Sequence, residues 1–285
     1  MSRLAQALTA GEFVVTTEVA PPKGVDLSAV LASVRQLQGV TAINVTDNQG
    51  ANMRMTPLVV AGMLAREGIE PILQLTCRDR NRMALQSDLL GAAALGVENL
   101  LLLSGDHARF GDHPAARSVF DLDSVQLLHG VAELSQGKDL AGRPLSGAPR
   151  FFSGAAVTPE AEPFELTLQK FRKKAAAGAG FFQTQAVFHP QRLEQFMAEA
   201  RRCGVPVLVG VLLLKSARMA RFLNERIPGV RVPQQLIDRL DQAAQPLEEG
   251  VAIAREMVAE ARRLADGVHL MTLGQEARIP ELLAF

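Results

Sequence analysis

A carboxylate set between an apolar run and a rigid turn is the first group in this sequence equipped for chemistry. Glu18 stands in the stretch VTTEVAPP, where two prolines force the chain away from the run that precedes it. There the carboxyl is expected to lose part of its water, which raises its pKa and suits it to act as a general acid near neutral pH. The same group could instead pair with Lys23 or with an arginine at the rim, and position alone leaves both readings open. Asp106 follows four leucines and Ser104-Gly105. Gly105 lets the backbone approach a ligand closely beside the carboxylate, although Asp106 could equally cap or turn the chain into the loop over residues 107–119. That loop is longer than most connections, which favours a functional role. Gln183 and Gln185 fall on one face of an extended segment, with Gln185 nearer its C-terminal end. The run Lys170-Phe171-Arg172-Lys173-Lys174 could meet a phosphate, but on a helix its charges fan around the axis, and a solvated face is the preferred reading. His107 and His113, flanked by Asp106 and Asp112, match no metal-ligand spacing and read as a solvated loop, so no metal is expected.

These groups need elements to position them. Eight strand-like runs occur: Phe13–Ala20, Ala42–Asp47, Glu70–Cys77, Asn99–Asp106, Phe151–Thr158, Phe181–Phe188, Pro206–Leu214 and Gly267–Gly274. Several are almost continuously apolar, as in parallel sheets covered on both faces. Helical patterns lie between them. Val30, Leu31, Val34 and Leu37 share a face, with Asp26 expected to cap the start and Gly39 the end. A helix opened by Pro190 and ending before Gly204 carries Leu193, Phe196, Met197 and Ala200 on one stripe; Val251, Ala254, Val258, Ala261 and Leu264 repeat the pattern. Gln136–Arg150 reads as an exposed excursion in the fourth unit. Eight alternating units predict a single (β/α)8 TIM barrel over residues 1–285. A Rossmann-like sheet is the rival, but no GxGxxG follows any strand and no GxxxxGK[ST] occurs.

In a barrel the active site lies at the C-terminal strand ends. Those ends carry Thr17, Glu18, Thr46, Asp47, Asn48, Gln74, Thr76, Ser104, Asp106, Gln183, Gln185 and Lys215. Few charges and many amides and hydroxyls suit a large, mostly neutral, hydrogen-bonding ring system.

Composition agrees with a large folded core: 285 residues, 48% hydrophobic and 21% charged. Thirty Lys and Arg balance thirty Asp and Glu, so no overall field draws a nucleic acid or an anionic membrane, and neither is expected as a partner. The first residues are too polar for a signal peptide and no apolar run is long enough for a membrane span, so a cytoplasmic protein is expected. Cys77 and Cys203 form no CxxC pair and read as buried thiols. With no Trp or Tyr, any stacking on a flat heterocycle falls to the thirteen Phe.

The segments TTEVAPPKG, VTDNQGAN, LQLTC, LLLSGD, GAAVTPEAEP, AGAGFFQTQAVF and GVLLLKSARMARFLNERIPGVRVP occur in an order that resembles the methylenetetrahydrofolate reductase family. That resemblance, over nearly the whole chain, implies a flavin-dependent barrel that reduces 5,10-methylenetetrahydrofolate to 5-methyltetrahydrofolate. It places the family's acid on Glu18, its flavin-proximal Asp on Asp106 and its folate-binding Gln on Gln185. It maps FAD contacts to Thr46, Gly105, Ala155 and Lys174, the last reaching the phosphates, with Gln74, Ser104 and Phe120 at further cofactor positions. Gln74 replaces a family His, Ser104 a family Arg, and Ala217 a Phe that stacks on nicotinamide. The reductant is therefore expected to be NAD(P)H or a partner protein that delivers electrons, with a reduced folate as substrate and room for a homo-oligomer. The alternative is a flavin-free folate-binding methyltransferase or an accessory subunit of an electron-transfer complex.

Overall fold

A computed structural model describes residues 1–227 and 229–284. Its eight strands are β1 Val14–Val19, β2 Ala42–Val45, β3 Pro71–Thr76, β4 Asn99–Leu103, β5 Phe152–Val157, β6 Phe181–Ala186, β7 Val207–Leu212 and β8 Gly267–Met271. Every neighbouring pair is parallel, and β8 pairs with β1, so the sheet closes in chain order. Each expected run contains one strand, trimmed by a few residues at its ends.

The helices are α1 Arg3–Thr9, α2 Ser28–Arg35, α3 Pro57–Arg66, α4 Arg82–Ala94, α5 Ser124–Ser135, α6 Phe164–Ala176, α7 Pro190–Cys203, α8 Ala217–Arg226, α9 Gln234–Gln242, α10 Pro246–Leu264 and α11 Ile279–Leu283. Two departures concern α2. Its N-cap is Leu27, and Asp26 instead accepts from the Ser28 N–H at 2.9 Å. The helix also ends at Arg35, before Leu37. The stretch 136–150 follows α5 as expected and carries an isolated bridge between Lys138 and Pro144.

Side chains alternate across each strand, so one set faces the helices and the other fills the barrel. The helix-facing set, with Leu73, Leu75, Leu100, Leu102, Phe182 and Val209, forms the main core with the helices. The interior is layered. Val14, Ala42, Ile72, Leu101, Phe181 and Leu208 form an apolar floor, closed from below by Leu4 and Leu8 of α1. Ser2 caps α1 by accepting from Ala5 N–H at 3.2 Å. Burying each of those leucines contributes about 1.5–3 kcal/mol. Gly154 belongs to this floor of necessity, because a Cβ there would lie 2.3 Å from the Phe181 ring. Above the floor the interior turns polar, with Thr16, Asn44, Gln74, Gln183 and His269 all buried.

Candidate active site

At the C-terminal strand ends a cavity of about 210 Å³ is lined by Glu18, Gln74, Gly105, Asp106, Gln183, Gln185 and His269, among others. A larger hollow of about 380 Å³ opens at the opposite end of the barrel. Its charges are consumed in pairs, Arg3 with Glu70 and Arg35 with Glu67. The C-terminal cavity is therefore the candidate site.

Glu18 sits inside this mouth with its side chain 12% exposed. Its Oε1 accepts from Gln49 Nε2 at 3.0 Å, and its Oε2 lies 3.5 Å from His269 Nε2. Burial pushes the carboxyl pKa up, but the hydrogen bond from His269, with that from the Gln49 amide, outweighs it and holds the group below the ordinary carboxylate range. This corrects the expectation of a raised pKa: the free site holds Glu18 ionised. The rim pairing with Lys23 does not occur either, since Lys23 binds Asp112. The sequence offered no view of His269, because β8 reaches β1 only on closure. The pairing places Thr16 opposite His269, and the Thr16 Oγ1 to His269 Nδ1 distance is 3.0 Å.

The opposite wall is more open. Asp106 is exposed, and its carboxylate has no partner among the described residues. Its backbone is fixed by Arg78, which is 2% exposed. Arg78 Nη1 donates to Asp106 O at 3.3 Å, its Nη2 to Asn48 O at 3.2 Å, and it pairs with Asp79. One guanidinium thus ties the ends of β2 and β4 together, a role suited to several donors in a fixed fork. Gly105 makes the crossing feasible: its φ is +87°, and a Cβ would meet Thr76 Cβ at 3.0 Å and Arg78 Cβ at 3.1 Å. Asp47 is buried and spent on structure, accepting from the Thr76 N–H and hydroxyl at 2.8 Å each and from Arg80 at 2.7 Å.

The remaining expected residues are scattered. Gln185 is exposed and turns its Oε1 back to the Ala186 N–H at 3.2 Å, while Gln183 is buried below it. Gln74 lines the cavity and donates to Asn44 Oδ1 at 3.4 Å. Thr46 lies outside the lining, buried, with its hydroxyl unpartnered among the described residues. Ala155 faces the helices, and its neighbour Ala156 lines the mouth instead. Ser104 is turned toward α5, accepting from Ser124 N–H at 3.3 Å. Phe120 is half-exposed beside His107, at 6.2 Å between ring centroids. Lys174 rises from α6 along the sheet and donates to Ala156 O at 2.7 Å. Burial and the nearby Lys170 hold its pKa below the ordinary lysine value, though Asp123 works the other way. Within the same run Phe171 is buried, and Arg172 is taken up by Glu199 and Glu165. Thr17, expected at the mouth, bonds Leu270 O, and Lys215 bonds Leu273 O. Cys77 is buried with its thiol pushed up to about 12, whereas Cys203 is only half-buried.

The sequence model of one family, described as methylenetetrahydrofolate reductase, matches residues 3–284. The chain belongs to the methylenetetrahydrofolate reductase family. Among family members, the 5,10-methylenetetrahydrofolate reductase of Escherichia coli is 26% identical over 278 residues, covering 93% of this chain and 88% of its own. A probable NADPH-named family enzyme of Caenorhabditis elegans is 24% identical over 79% of this chain. A probable NADH-named enzyme of rice is 24% identical over 97% of it. The chain spans only 33% and 48% of those two relatives. The fold also matches a Clostridium thermocellum protein described as binding two copies of 5-methyl-5,6,7,8-tetrahydrofolic acid, at a TM-score of 0.64 and 13% identity over 98% of this chain. Among the described residues of this family member no helix is long and apolar enough to cross a membrane.

Proposed function

We propose that this chain reduces 5,10-methylenetetrahydrofolate to 5-methyltetrahydrofolate, as a single barrel unit using bound FAD. The observation that carries the reading is the Glu18–His269 pair, set in a polar mouth across from the uncommitted Asp106 carboxylate. The Asp106 carboxylate and the Gln185 amide orient the pterin through its N–H groups. Folate seated over the mouth excludes water from Glu18 and so raises its pKa, which draws a proton onto the carboxyl. Glu18 then gives that proton to the nitrogen released when the methylene bridge opens. His269, with Nε2 beside Oε2, faces the charge that returns to Glu18.

Several features fit a flavin. The Thr46 hydroxyl is buried without a partner, and Gly105 brings bare backbone to the mouth. The Lys174 ammonium has three donors and one carbonyl partner, so a phosphate would relieve it. Bound FAD, once reduced by its donor, would supply the hydride that the protein cannot. Thr46, Gly105, Asp106 and Lys174 are the residues to hold it.

The relatives' names support a nicotinamide reductant, NADH or NADPH. Ala217 does not provide a stacking face, since it is buried at the start of α8 in a cluster with Phe188, Leu212 and Val230. Phe188, buried itself, cannot serve either, whereas Phe120 is exposed. Direct reduction by NADH is accordingly slow, and a partner protein is the alternative donor. Two free cysteines agree with a cytoplasmic setting.

The absorbance spectrum of the purified protein, followed by anaerobic stopped-flow of the two half-reactions, tests the reading. A yellow protein, bleached by a reductant and recoloured by methylenetetrahydrofolate, is expected. A colourless protein without FAD affinity that still binds folate would favour the flavin-free methyltransferase or accessory subunit.

A further inference from the structure

The Glu18–His269 pair works in one direction only if His269 carries its proton on the nitrogen that faces Glu18. Thr16, the nearest group to Nδ1, does not decide this. Its hydroxyl lies 3.0 Å from His269 Nδ1 and 3.3 Å from Val268 O, with a single proton to give to one or the other, while it accepts from Gln183 Nε2 at 3.3 Å. A hydroxyl can give a proton to Nδ1 or take a hydrogen bond from it.

Asn44 breaks the tie. Its Nδ2 lies 3.4 Å from Thr17 O, a backbone carbonyl that can only accept, and its Oδ1 accepts from Gln74 Nε2 at 3.4 Å. Both ends of the amide are therefore oriented by their partners. The same Nδ2 lies 3.4 Å from His269 Nδ1. A donor aimed at Nδ1 makes that nitrogen the acceptor and leaves the proton on Nε2, toward Glu18 Oε2. All of these groups except Glu18 are buried, so water does not compete for the bonds.

We propose that Asn44 is a positioning residue of this active site, whose amide holds His269 in the Nε2–H tautomer so that its N–H is presented to Glu18. What that tautomer accomplishes rests on the proton role assigned to Glu18 above; the tautomer itself does not. Gln74 acts one step further out, by holding the Asn44 amide the right way round.

Two-bond nitrogen–proton correlation spectra of the uniformly ¹⁵N-labelled full chain read the tautomer directly. The His269 signals are assigned by their loss in His269→Gln. In the unaltered protein Nδ1 is expected to appear as the unprotonated nitrogen and Nε2 as the protonated one. Asn44→Leu, close in volume but without the donor, is expected to shift His269 toward the Nδ1–H form. It should also slow the folate half-reaction by about tenfold to a hundredfold, the scale seen when a group that orients a functional histidine is lost, and leave flavin reduction unchanged. An Nδ1–H tautomer in the unaltered protein overturns the proposal, and so does a tautomer indifferent to Asn44→Leu. If that variant does not fold, the unaltered spectrum and that of Gln74→Leu, expected to show partial loss of the Nε2–H form, decide it. A tautomer that moves in a protein without folate turnover leaves Asn44 in its role and removes the reductase reading instead.

Discussion

On the β8–β1–β2 side of the mouth, Glu18, His269, Thr16 and Asn44 are bonded to one another before any ligand arrives. On the β4–β6 side, among the described residues, the Asp106 carboxylate has no partner and the Gln185 side chain bonds only its own neighbour's backbone. One wall is preorganised, as the proton role proposed for Glu18 requires, since a small error in geometry there costs rate. The other keeps polar groups in water until a ligand takes them, where an early partner would cost affinity. What is fixed on the second wall is the backbone beneath, through Arg78 and Gly105.

Glu18→Gln should separate the walls most sharply. It keeps the shape and the contact with His269 but has no proton to give, so the folate half-reaction should fall by about 10²–10⁴-fold while flavin reduction survives. Equal slowing of both half-reactions, measured by stopped-flow, would make Glu18 a scaffold residue and erase the distinction. Gly105→Ala attacks the other wall. Forcing a Cβ onto a φ of +87° against Thr76 and Arg78 should cost about 1–3 kcal/mol of stability, read from denaturant unfolding, and weaken ligand binding at Asp106. An unfolding midpoint identical to that of the unaltered protein would show that the Arg78 crossing yields freely.

Lys174→Ala should raise the dissociation constant for FAD by about tenfold, the lower end for losing a charge-assisted bond, and leave folate affinity alone. Equal losses for both ligands, by fluorescence titration, would take Lys174 out of the cofactor site. The smallest effect concerns acid stability. Because folding holds the Glu18 pKa below its ordinary 4.5, the ionised group stabilises the fold above that pH, and this contribution disappears as pH falls through the lowered value. The stability difference between the unaltered protein and Glu18→Gln should therefore shrink on acidification from about pH 4.5 downward. A difference that stays constant in denaturant titrations at each pH would mean that His269 and Gln49 do not favour the ionised carboxylate.

The strands were legible because their signal is local. β3 and β7 are buried along their whole length, and continuous apolar runs such as PILQLT and VLVGVL declare that without reference to the rest of the chain. The same holds for the alternation that set Gln183 and Gln185 on one face, and for Glu18 ahead of its Pro-Pro turn. Of the polar layer, Gln74 and Gln183 stood out at the strand ends, while Thr16, Asn44 and His269 passed as ordinary residues inside apolar runs. Nothing in it joined those residues to one another.

That joining is what closure decided. Thr16 and His269 are 253 positions apart and meet at 3.0 Å because β8 pairs with β1. With it came the sign of the Glu18 shift. Burial alone, which the sequence suggested, raises the pKa; the histidine brought from the far end of the chain reverses it. Arg78 likewise reads in sequence as one charge among RDRNR, and only the stacked ends of β2 and β4 bring it the Asn48 and Asp106 carbonyls. Hydrophobic periodicity is a property of neighbours along the chain and can be read there. Whether a buried carboxylate is ionised depends on the hydrogen-bond donors within a few ångströms in space, and that distance exists only once the barrel has closed.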